Sequence, residues 1–592
     1  MAGDIMWKTL TTDANLALMT QVLGVKEPTA AVMANRGIRS KNAAIAYLRG
    51  GCIHAIDVIS MKDAEAAFKR INYAIQQKER IIVYGDYDVD GVMSTVILYK
   101  SLKVFANVNF YIPHREEEGY GLNIDAVQEI KKMGCDLIIT CDNGISALDE
   151  IAEAQSLGID VIVIDHHEPG FEEDGPLPVD LIPNAVAVID PKQSACPYPF
   201  KEMCAAGLSF KLMEAFYRHT NRDFSPLHDE LLALAAIAAV CDIVELMDEN
   251  RALVKQGLQI LNANKNINPG LGQLITLRGY MDKPMDTFTI GFVLGPCINA
   301  TGRLESAEKS VRLLLSKDES EQRYLANALS DLNDERKSLQ RLSVDRILKK
   351  AADEVADGGP FSKVLVLVDE DTHESIAGIV AGRIKEELYR PVIVLTRGAG
   401  ALKGSGRSIE GYNLFEALYA NRELFLRFGG HAMAAGMTLE ESNVPVLRRR
   451  LNENCNLQDS DFQEVIYIDW ELPAHEITLK LAEELELLSP FGKGNREPMF
   501  VTRGLTVAAL RMIDEKNTLI FTFADRIKGI AFGKNEVFYE KLRGCCNDED
   551  YRRILSGQVA GLVMDVVHTV EVNVYNGRKS VQIRIRDFRL AV

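Results

Sequence analysis

Tryptophan is nearly missing from this chain, with two residues in 592, and its ten cysteines are scattered with no C-x-x-C pair; only Cys545 and Cys546 are adjacent. The missing paired thiol spacings argue against a structural zinc site or a disulfide framework, and reduced thiols in a cytoplasm are expected. No hydrophobic run is long enough to cross a bilayer. The longest, 231–240 and a little beyond, is short and rich in alanine. The first residues lack the basic, apolar, small-residue order of a secretory signal, and no internal repeat or low-complexity tract occurs. Excess positive charge is missing too. The formal net charge is −17, the reverse of a typical duplex binder. An acidic metal site lowers the total locally, however, and a basic groove can coexist with an acidic remainder, so the total excludes no nucleic-acid role.

What is present is an ordinary globular mixture, 47% hydrophobic and 26% charged, long enough for several domains with sizeable cores. One stretch concentrates the chemistry. Residues 81–84 read as a short apolar strand and 92–102 as a buried helix. Between them Gly85 and Gly91 frame Asp86, Asp88 and Asp90. Three carboxylates at alternate positions past a strand's carboxyl end repel one another unless a cation sits among them. The bland alternative is an acidic strand-to-helix turn with an Asp cap.

The chain downstream weighs against that alternative. Strand-like runs at 136–141, 160–164 and 185–189 end in Asp142-Asn143-Gly144, Asp165-His166-His167 and Asp190-Pro191. Alternating with helices such as 123–133, they predict a doubly wound parallel sheet with all tips at one edge. Buried helices are expected at 205–217 and 231–240, the second delivering Asp242. Asn299-Ala-Thr-Gly-Arg-Leu304 reads as a glycine turn carrying Arg303, and 318–355 as a long connecting helix. A second α/β unit begins near 364 and holds His373, a loop Lys403-Gly-Ser-Gly-Arg-Ser408, and Gly429-Gly-His-Ala-Met-Ala-Ala-Gly436. After about 460 short alternating runs (465–470, 518–524, 559–566, 581–588) suggest a small β-barrel of oligonucleotide-binding type, with Lys493, Arg496 and Arg503 as basic residues.

Asp86, Asp88, Asp90, Asp142, His166 and Asp242 thus converge. Carboxylates with one imidazole suit manganese or magnesium rather than zinc, and six groups exceed one ion's needs. A two-metal cluster follows, its ions roughly 3.5–4 Å apart to clamp the oxygens of a phosphoryl displacement, with Asp142 as the bridge. His167 reads better as a neighbour of the ligands or a phosphate contact, Asp165 as the acid that orients an imidazole, and Asp190 as a turn acid. Residues 383–407 carry Arg383, Lys385, Arg390, Arg397, Lys403 and Arg407 against Glu386 and Glu387. Most of these form a solvated face, but Arg407 beside Gly-Ser-Gly suits a phosphate. His431 reads equally as a packed core residue.

The motifs in this order, Asp-Tyr-Asp-Val-Asp-Gly, Asp-Asn-Gly, Asp-His-His and the later Asp242, resemble those of the DHH phosphoesterase superfamily. The second unit is similar to its DHHA1 domain. Together with the long helix and the C-terminal β region, covering most of 80–590, they resemble the single-strand-specific exonucleases of that superfamily. The resemblance implies an α/β fold: a parallel-sheet DHH domain (78–317), a connecting helix (318–355), a smaller α/β DHHA1 domain (356–458) and an oligonucleotide-binding barrel (459–592). Residues 1–77 are expected to be a helical segment packed on the DHH domain. It implies 5′ to 3′ hydrolysis of single-stranded DNA to mononucleotides, in repair and recombination, with two Mn2+ or Mg2+ ions held by the six residues above. Asp88, Asp90, Asp142, His166 and His167 would be catalytic, and Arg115, Arg303, His373, Ser405, Arg407 and His431 would bind substrate. Single-strand-binding protein and a helicase are the protein partners implied, with no membrane. Two departures stand out: Thr372-His373-Glu374-Ser375 where the family has Trp-His-x-Gly, and Val89 where it has Ala. The rivals are a DHH hydrolase of small substrates, disfavoured by the added barrel, and a non-catalytic scaffold on the same fold, disfavoured by the intact acids.

Overall fold

Arg-Ile-Ile-Val-Tyr forms the strand Arg80–Tyr84, buried along almost its whole length, as runs of β-branched residues are in parallel sheets covered on both faces. In the computed structural model, which describes residues 5–53, 56–115, 117–172, 179–356, 362–398 and 400–591, this strand lies between Asn107–Tyr111 and Leu137–Cys141. The sheet continues through Asp160–Ile164 to Ala187–Ile189, and every pairing is parallel. The chain first runs to one side of Arg80–Tyr84 and then to the other. Strand order therefore reverses between Arg80–Tyr84 and Leu137–Cys141, and loops diverging at such a point leave a crevice. Helices Val89–Lys103, Ala205–His219 and Ser225–Cys241 are buried along most of their lengths.

A second sheet has the order Phe425–His431, Ala434–Leu439, Leu402–Arg407, Val392–Arg397, Leu365–Val368, with one parallel pairing at its end. The 38-residue helix Glu319–Ala356 is tied to it in two ways. Val344 and Ile347 join the core formed by Leu365, Leu367, Val380, Ile384 and Val392. Arg346 Nε donates to Asp369 Oδ1 at 2.7 Å, at the end of strand Leu365–Val368. The expected boundary at 355/356 abuts residues 357–361, which lie outside the described residues.

Two glycine segments depart from the expected turns. Gly404, Ser405, Gly406 and Arg407 belong to strand Leu402–Arg407, because a Cβ on Gly404 would stand 2.4 Å from Leu395 Cδ2 and one on Gly406 2.6 Å from Leu414 Cδ2. These glycines serve close packing within a sheet. Asn299–Leu304 is the end of helix Gly295–Leu304, where a Cβ on Gly302 would lie 2.4 Å from the Tyr87 carbonyl oxygen.

The chain divides into two compact units, one holding Ile53–Val244 and Leu253–Glu464, the other Ile5–Cys52, Glu245–Ala252 and Val465–Val592. The second is built on a closed five-stranded barrel. Phe500–Ile513, Thr518–Phe523, Lys528–Phe532, Arg578–Ala591 and Val563–Tyr575 pair in that order, and Val563–Tyr575 returns to Phe500–Ile513. The N-terminal segment corrects the sequence expectation. Ala64–Gln77 does pack in the first unit, Phe68 meeting Phe216 edge-on at 5.6 Å. Residues 5–52 instead belong to the barrel unit: Met6–Thr9 pairs in parallel with Val465–Ile468, and Met19, Val32, Met33 and Tyr47 share a core with Phe500, Phe521 and Phe588. Helical periodicity shows that an apolar face exists, not which surface it meets. Buried Arg251, from the 245–252 insertion, donates to the Leu488 and Leu487 carbonyls at 2.8 and 3.1 Å and lies 4.0 Å from the Tyr47 ring centroid.

This interleaving makes truncation costly. A chain ended at 464 strips Met19, Val32, Met33 and Tyr47 of their core, so it should bind a hydrophobic dye and aggregate; a monodisperse, dye-negative product would contradict the shared core. A pH effect is expected in the same unit. His568 is fully buried, 2.8 Å from Thr502 Oγ1, and burial holds its pKa down at about 4. The unfolded chain takes up this proton near 6.5, so the contribution is neutral above that pH. Stability is lost as pH falls from 6.5 towards 4, to a total of about 3 kcal/mol. Both tryptophans, Trp7 and Trp470, lie in this unit. Urea melts followed by their fluorescence at pH 7.5 and 5.0 should show a smaller drop for His568→Asn than for the wild type.

Candidate active site

The acidic edge is built by backbone geometry before any ligand is considered. Asp88 caps helix Val89–Lys103, its Oδ1 accepting the N–H groups of Asp90 and Gly91 at 2.9 and 3.1 Å. A Cβ on Gly91 would fall 2.5 Å from the Asp86 carbonyl oxygen, so only glycine lets the helix start fold back over Asp86. Asp90, in the first turn, accepts the N–H groups of Ala205 and Ala206 at 2.7 and 2.8 Å, at the positive end of helix Ala205–His219. Asn299 Oδ1 holds the Val89 N–H at 3.1 Å. Asp142 follows strand Leu137–Cys141 with φ of +64°, a conformation Asp tolerates better than most residues. Its N–H donates to Ile164 O at 3.1 Å, and its carbonyl accepts the Tyr120 hydroxyl at 2.9 Å. Asp242 ends helix Ser225–Cys241.

These elements bring all six expected ligands together. His166 Nε2 lies 3.1 Å from Asp142 Oδ1, 3.6 Å from Asp90 Oδ2 and 3.8 Å from Asp242 Oδ2. Asp86, Asp88 and Asp142 form one group, and Asp90, His166 and Asp242 another, the ligand atoms within each lying no more than 4.8 Å apart. Burial, then the neighbouring acids, pushes Asp86 and Asp142 well above the usual carboxylate range, Asp90 up to about 7 and Asp242 up to about 8. Burial also holds His166 down at about 3, a neutral imidazole at any physiological pH. Asp86 Oδ1 is buried without a hydrogen-bond partner. Oxygen donors with one neutral imidazole, and an orphaned carboxylate oxygen among them, fit hard divalent cations.

His167 makes a third group with Asp142 and His166, but its Nδ1 is 2.7 Å from Asp165 Oδ1. Burial opposes its charge, and the Asp165 contact outweighs burial, raising its pKa to about 9. The Asp165 contact therefore favours a protonated ring beside the expected ligands. Asp165 also accepts the Ile145 N–H at 2.9 Å and the His166 N–H at 2.7 Å, which fixes the Asp-His-His turn. Asp190 accepts the Lys192 N–H at 2.8 Å, as a turn acid does. Its other oxygen is buried and unpartnered.

Next to the acids is a cavity of about 290 Å³, lined by Tyr87 and Arg115 from the first sheet domain and by Glu374, Ser375, Lys403, Gly404, Ser405 and Met437 from the second. The Arg115 guanidinium lies 4.9 Å from the Tyr87 ring centroid. Arg303 Nη1 donates to Ser375 O at 2.7 Å. Burial and the charges of Arg115, Arg336 and Arg407 lower the Arg303 pKa to about 10, which marks a gathering of cations with room for an anion. Arg407 Nη1 donates to Gly406 O at 2.8 Å, and Gly378 leaves it space, since a Cβ there would be 2.8 Å from Arg407 Nη2. His373 is exposed, its Nδ1 2.8 Å from Ser375 Oγ. Lys403 is engaged by Glu374 at 2.6 Å.

His431 corrects the packed-core reading: it is exposed, at the end of edge strand Phe425–His431, and does not line the cavity. At the Thr372 departure, hydrogen bonds take the place of an aromatic ring. Thr372 Oγ1 donates to Asp369 Oδ2 at 2.6 Å, the same carboxylate that Arg346 grips. The sequence reading missed Tyr87, Tyr120, Asn299 and Arg336. Tyr87 carried a signal, lying between two of the expected ligands; Arg336, inside a charged helix, carried none.

Comparison with known proteins agrees in order and extent. Family models match at residues 80–239 (DHH family, N-terminal domain), 361–457 (DHHA1 domain) and 468–587 (RecJ OB domain). The single-stranded-DNA-specific exonuclease RecJ of Bacillus subtilis is 36% identical over 99% of this chain and 71% of its own length. That of Escherichia coli is 32% identical over 93% of this chain and 94% of its own. The crystal structure of RecJ with Mn2+ from Thermus thermophilus superposes with a TM-score of 0.81 at 28% identity, covering 100% of this chain and 80% of that one. The Mg2+ complex gives 0.75 at 27% identity, covering 99% and 78%.

The crowding of acids makes a prediction that separates charge from shape. Asn tolerates the left-handed backbone at 142, so Asp142→Asn should keep the fold and, without metal, raise stability by on the order of 1 kcal/mol. Manganese at about a hundredfold over its Kd should stabilise the wild type by about 3 kcal/mol and the variant far less. Thermal melts with and without manganese decide this; equal stabilisation of both proteins would remove Asp142 from the ligand set.

Proposed function

The chain belongs to the RecJ family of single-stranded-DNA-specific exonucleases, and on that premise we propose that it hydrolyses single-stranded DNA from the 5′ end, releasing mononucleotides in DNA repair and recombination. The observation that carries this reading is the pairing of two ligand groups, meeting at Asp142 and His166, with a cavity lined by Arg115 and Lys403 beside them. Asp86, Asp88 and Asp142 would hold one Mn2+ or Mg2+, and Asp90, His166 and Asp242 the other. When bound, such ions supply Lewis-acid charge at the attacking and departing oxygens of the phosphodiester.

The chain's own residues do the rest. Helix Ala205–His219 and the Asp88 cap hold the acids in place before any cation arrives, which removes reorganisation from the chemical step. Asp165 keeps a proton on His167, and that proton is available to a phosphate oxygen or to the departing 3′ oxygen. Arg115, Arg303 and Arg407, with Ser405 and His373 close by, suit a terminal 5′-phosphate; its capture would stop the strand one nucleotide past the acids. His431, on its exposed edge strand, would contact the strand farther from that phosphate.

In the barrel unit, Arg503 pairs with Glu471 and Asp565, each at 3.3 Å, and so is engaged within the fold, whereas Arg496 lies 5.3 Å from the Tyr467 ring centroid. This unit's contribution is strand binding by stacking and phosphate contact. A cytoplasmic setting suits the ten cysteines, all of them free, which would stay reduced there. Among the described residues no helix is long and apolar enough to cross a membrane. Single-strand-binding protein and a helicase are the protein partners the family implies.

End capture is tested by comparing 5′-phosphorylated with 5′-hydroxyl strands. The phosphorylated strand should be preferred by about tenfold, the worth of one charge-assisted contact. Arg303→Ala or Arg407→Ala should shrink that preference, and Arg449→Ala, an exposed arginine on helix Val444–Glu453, should not. Equal rates on both ends, or earlier loss of a 3′ label, would overturn the polarity while leaving the metal ligands standing.

A further inference from the structure

Phe288 and Phe292 are 58% and 69% exposed, yet their rings are stacked on each other, with centroids 5.0 Å apart and planes within 23°. They lie on Thr287–Thr289 and on a single π-helical turn, Ile290–Leu294, that runs into helix Gly295–Leu304 with Asn299 and Arg303. The π turn is seated on the end of the helix that delivers Asp242. Cys241 Sγ reaches Ile290 O at 3.9 Å; a Cβ on Gly291 would touch Val240 Cγ1 at 3.7 Å, and one on Gly295 would clash with Cys241 Sγ at 2.4 Å.

A second, independent oddity sits at the same helix end. Ile243, directly after Asp242, has φ of +57° and is 65% exposed. The left-handed region is sterically hostile to a β-branched residue, and here it presents an apolar side chain to water. Single π turns concentrate at functional sites, where the extra residue redirects side chains. Strain held beside a ligand points the same way.

We propose that Phe288 and Phe292 form a stacking platform for unpaired bases of the strand being cut, with Ile243 on its flank. This rests on the proposed activity on single-stranded DNA. The segment that carries the rings runs directly into the Asn299–Arg303 helix and packs on the end of the helix that delivers Asp242. Residues 287–294, Thr-Phe-Thr-Ile-Gly-Phe-Val-Leu, contain no cation, so the patch suits base faces and leaves phosphates to the arginines. Stacking on an aromatic ring accepts every base and is lost on pairing, which matches a sequence-tolerant reader of single strands.

The test uses the full chain as wild type, the double variant Phe288→Ala/Phe292→Ala, the double variant Phe288→Tyr/Phe292→Tyr, and the control Tyr324→Ala, an exposed aromatic (68%) on helix Glu319–Ala356. The rings are exposed, so thermal midpoints should agree across all four. On a thymidine strand the alanine pair should raise KM by about tenfold with kcat within about twofold, the tyrosine pair should restore it, and Tyr324→Ala should match the wild type. On a strand with abasic sites over its 5′ region, the difference between wild type and the alanine pair should vanish. Quenching of 2-aminopurine in the bound strand, read without turnover, should follow the same order; it tests stacking even if the wild type proved unable to cut, a result that would count against the activity alone. An unchanged KM and quenching for the alanine pair, or an equal rise on abasic strands, would overturn the platform.

Discussion

Repulsion among carboxylates held out of water at one edge of a parallel sheet is the constraint on which the rest of the first unit depends. Asp86, Asp90, Asp142 and Asp242 are each pushed upward by burial and by one another. Such a cluster is tolerable only if the backbone over-determines it and a cation can relieve it. Both conditions are visible. Asp88 and Asp90 are tied to helix starts, Asp142 is locked by Ile164 and Tyr120, and the donors fall into two groups that share a contact at Asp142 and His166.

A gathering of cations mirrors that arrangement. Arg115, Arg336 and Arg407 disfavour the charge on Arg303 as the acids disfavour one another's. Acids beside a gathering of arginines suit a phosphodiester, whose phosphate needs the arginines and whose reacting oxygens need the metal side. Ser375 ties Arg303 to His373: its carbonyl takes the Arg303 guanidinium and its hydroxyl meets His373. The Arg346–Asp369–Thr372 chain braces that turn from the connecting helix.

Much of the site was legible in the chain because ligand chemistry is local. Asp86, Asp88 and Asp90 sit within five residues, and strand tips in an α/β pattern all face one edge, so Asp142 and His166 could be gathered without coordinates; Asp242, at a helix end, was gathered with them by its place in the motif order. The long helix and the barrel were legible from periodicity of 3.6 and of two. Glycine was the least legible residue. It read as a turn at 404–406 and at 302, whereas packing demanded it there, against Leu395, Leu414 and the Tyr87 carbonyl.

By itself, the order of residues determined which groups can bind metal and which segments are strands or helices, since both depend on side-chain type and short spacing. Tertiary structure alone decided what those segments meet. It assigned residues 5–52 and 245–252 to the barrel unit, set His167 against Asp165, which raises its pKa, and left His431 exposed. It also set Phe288 and Phe292 in water at the end of the Asp242 helix. Each of these depends on contacts between residues far apart in the chain, and an apolar or titratable side chain carries no record of its distant partner.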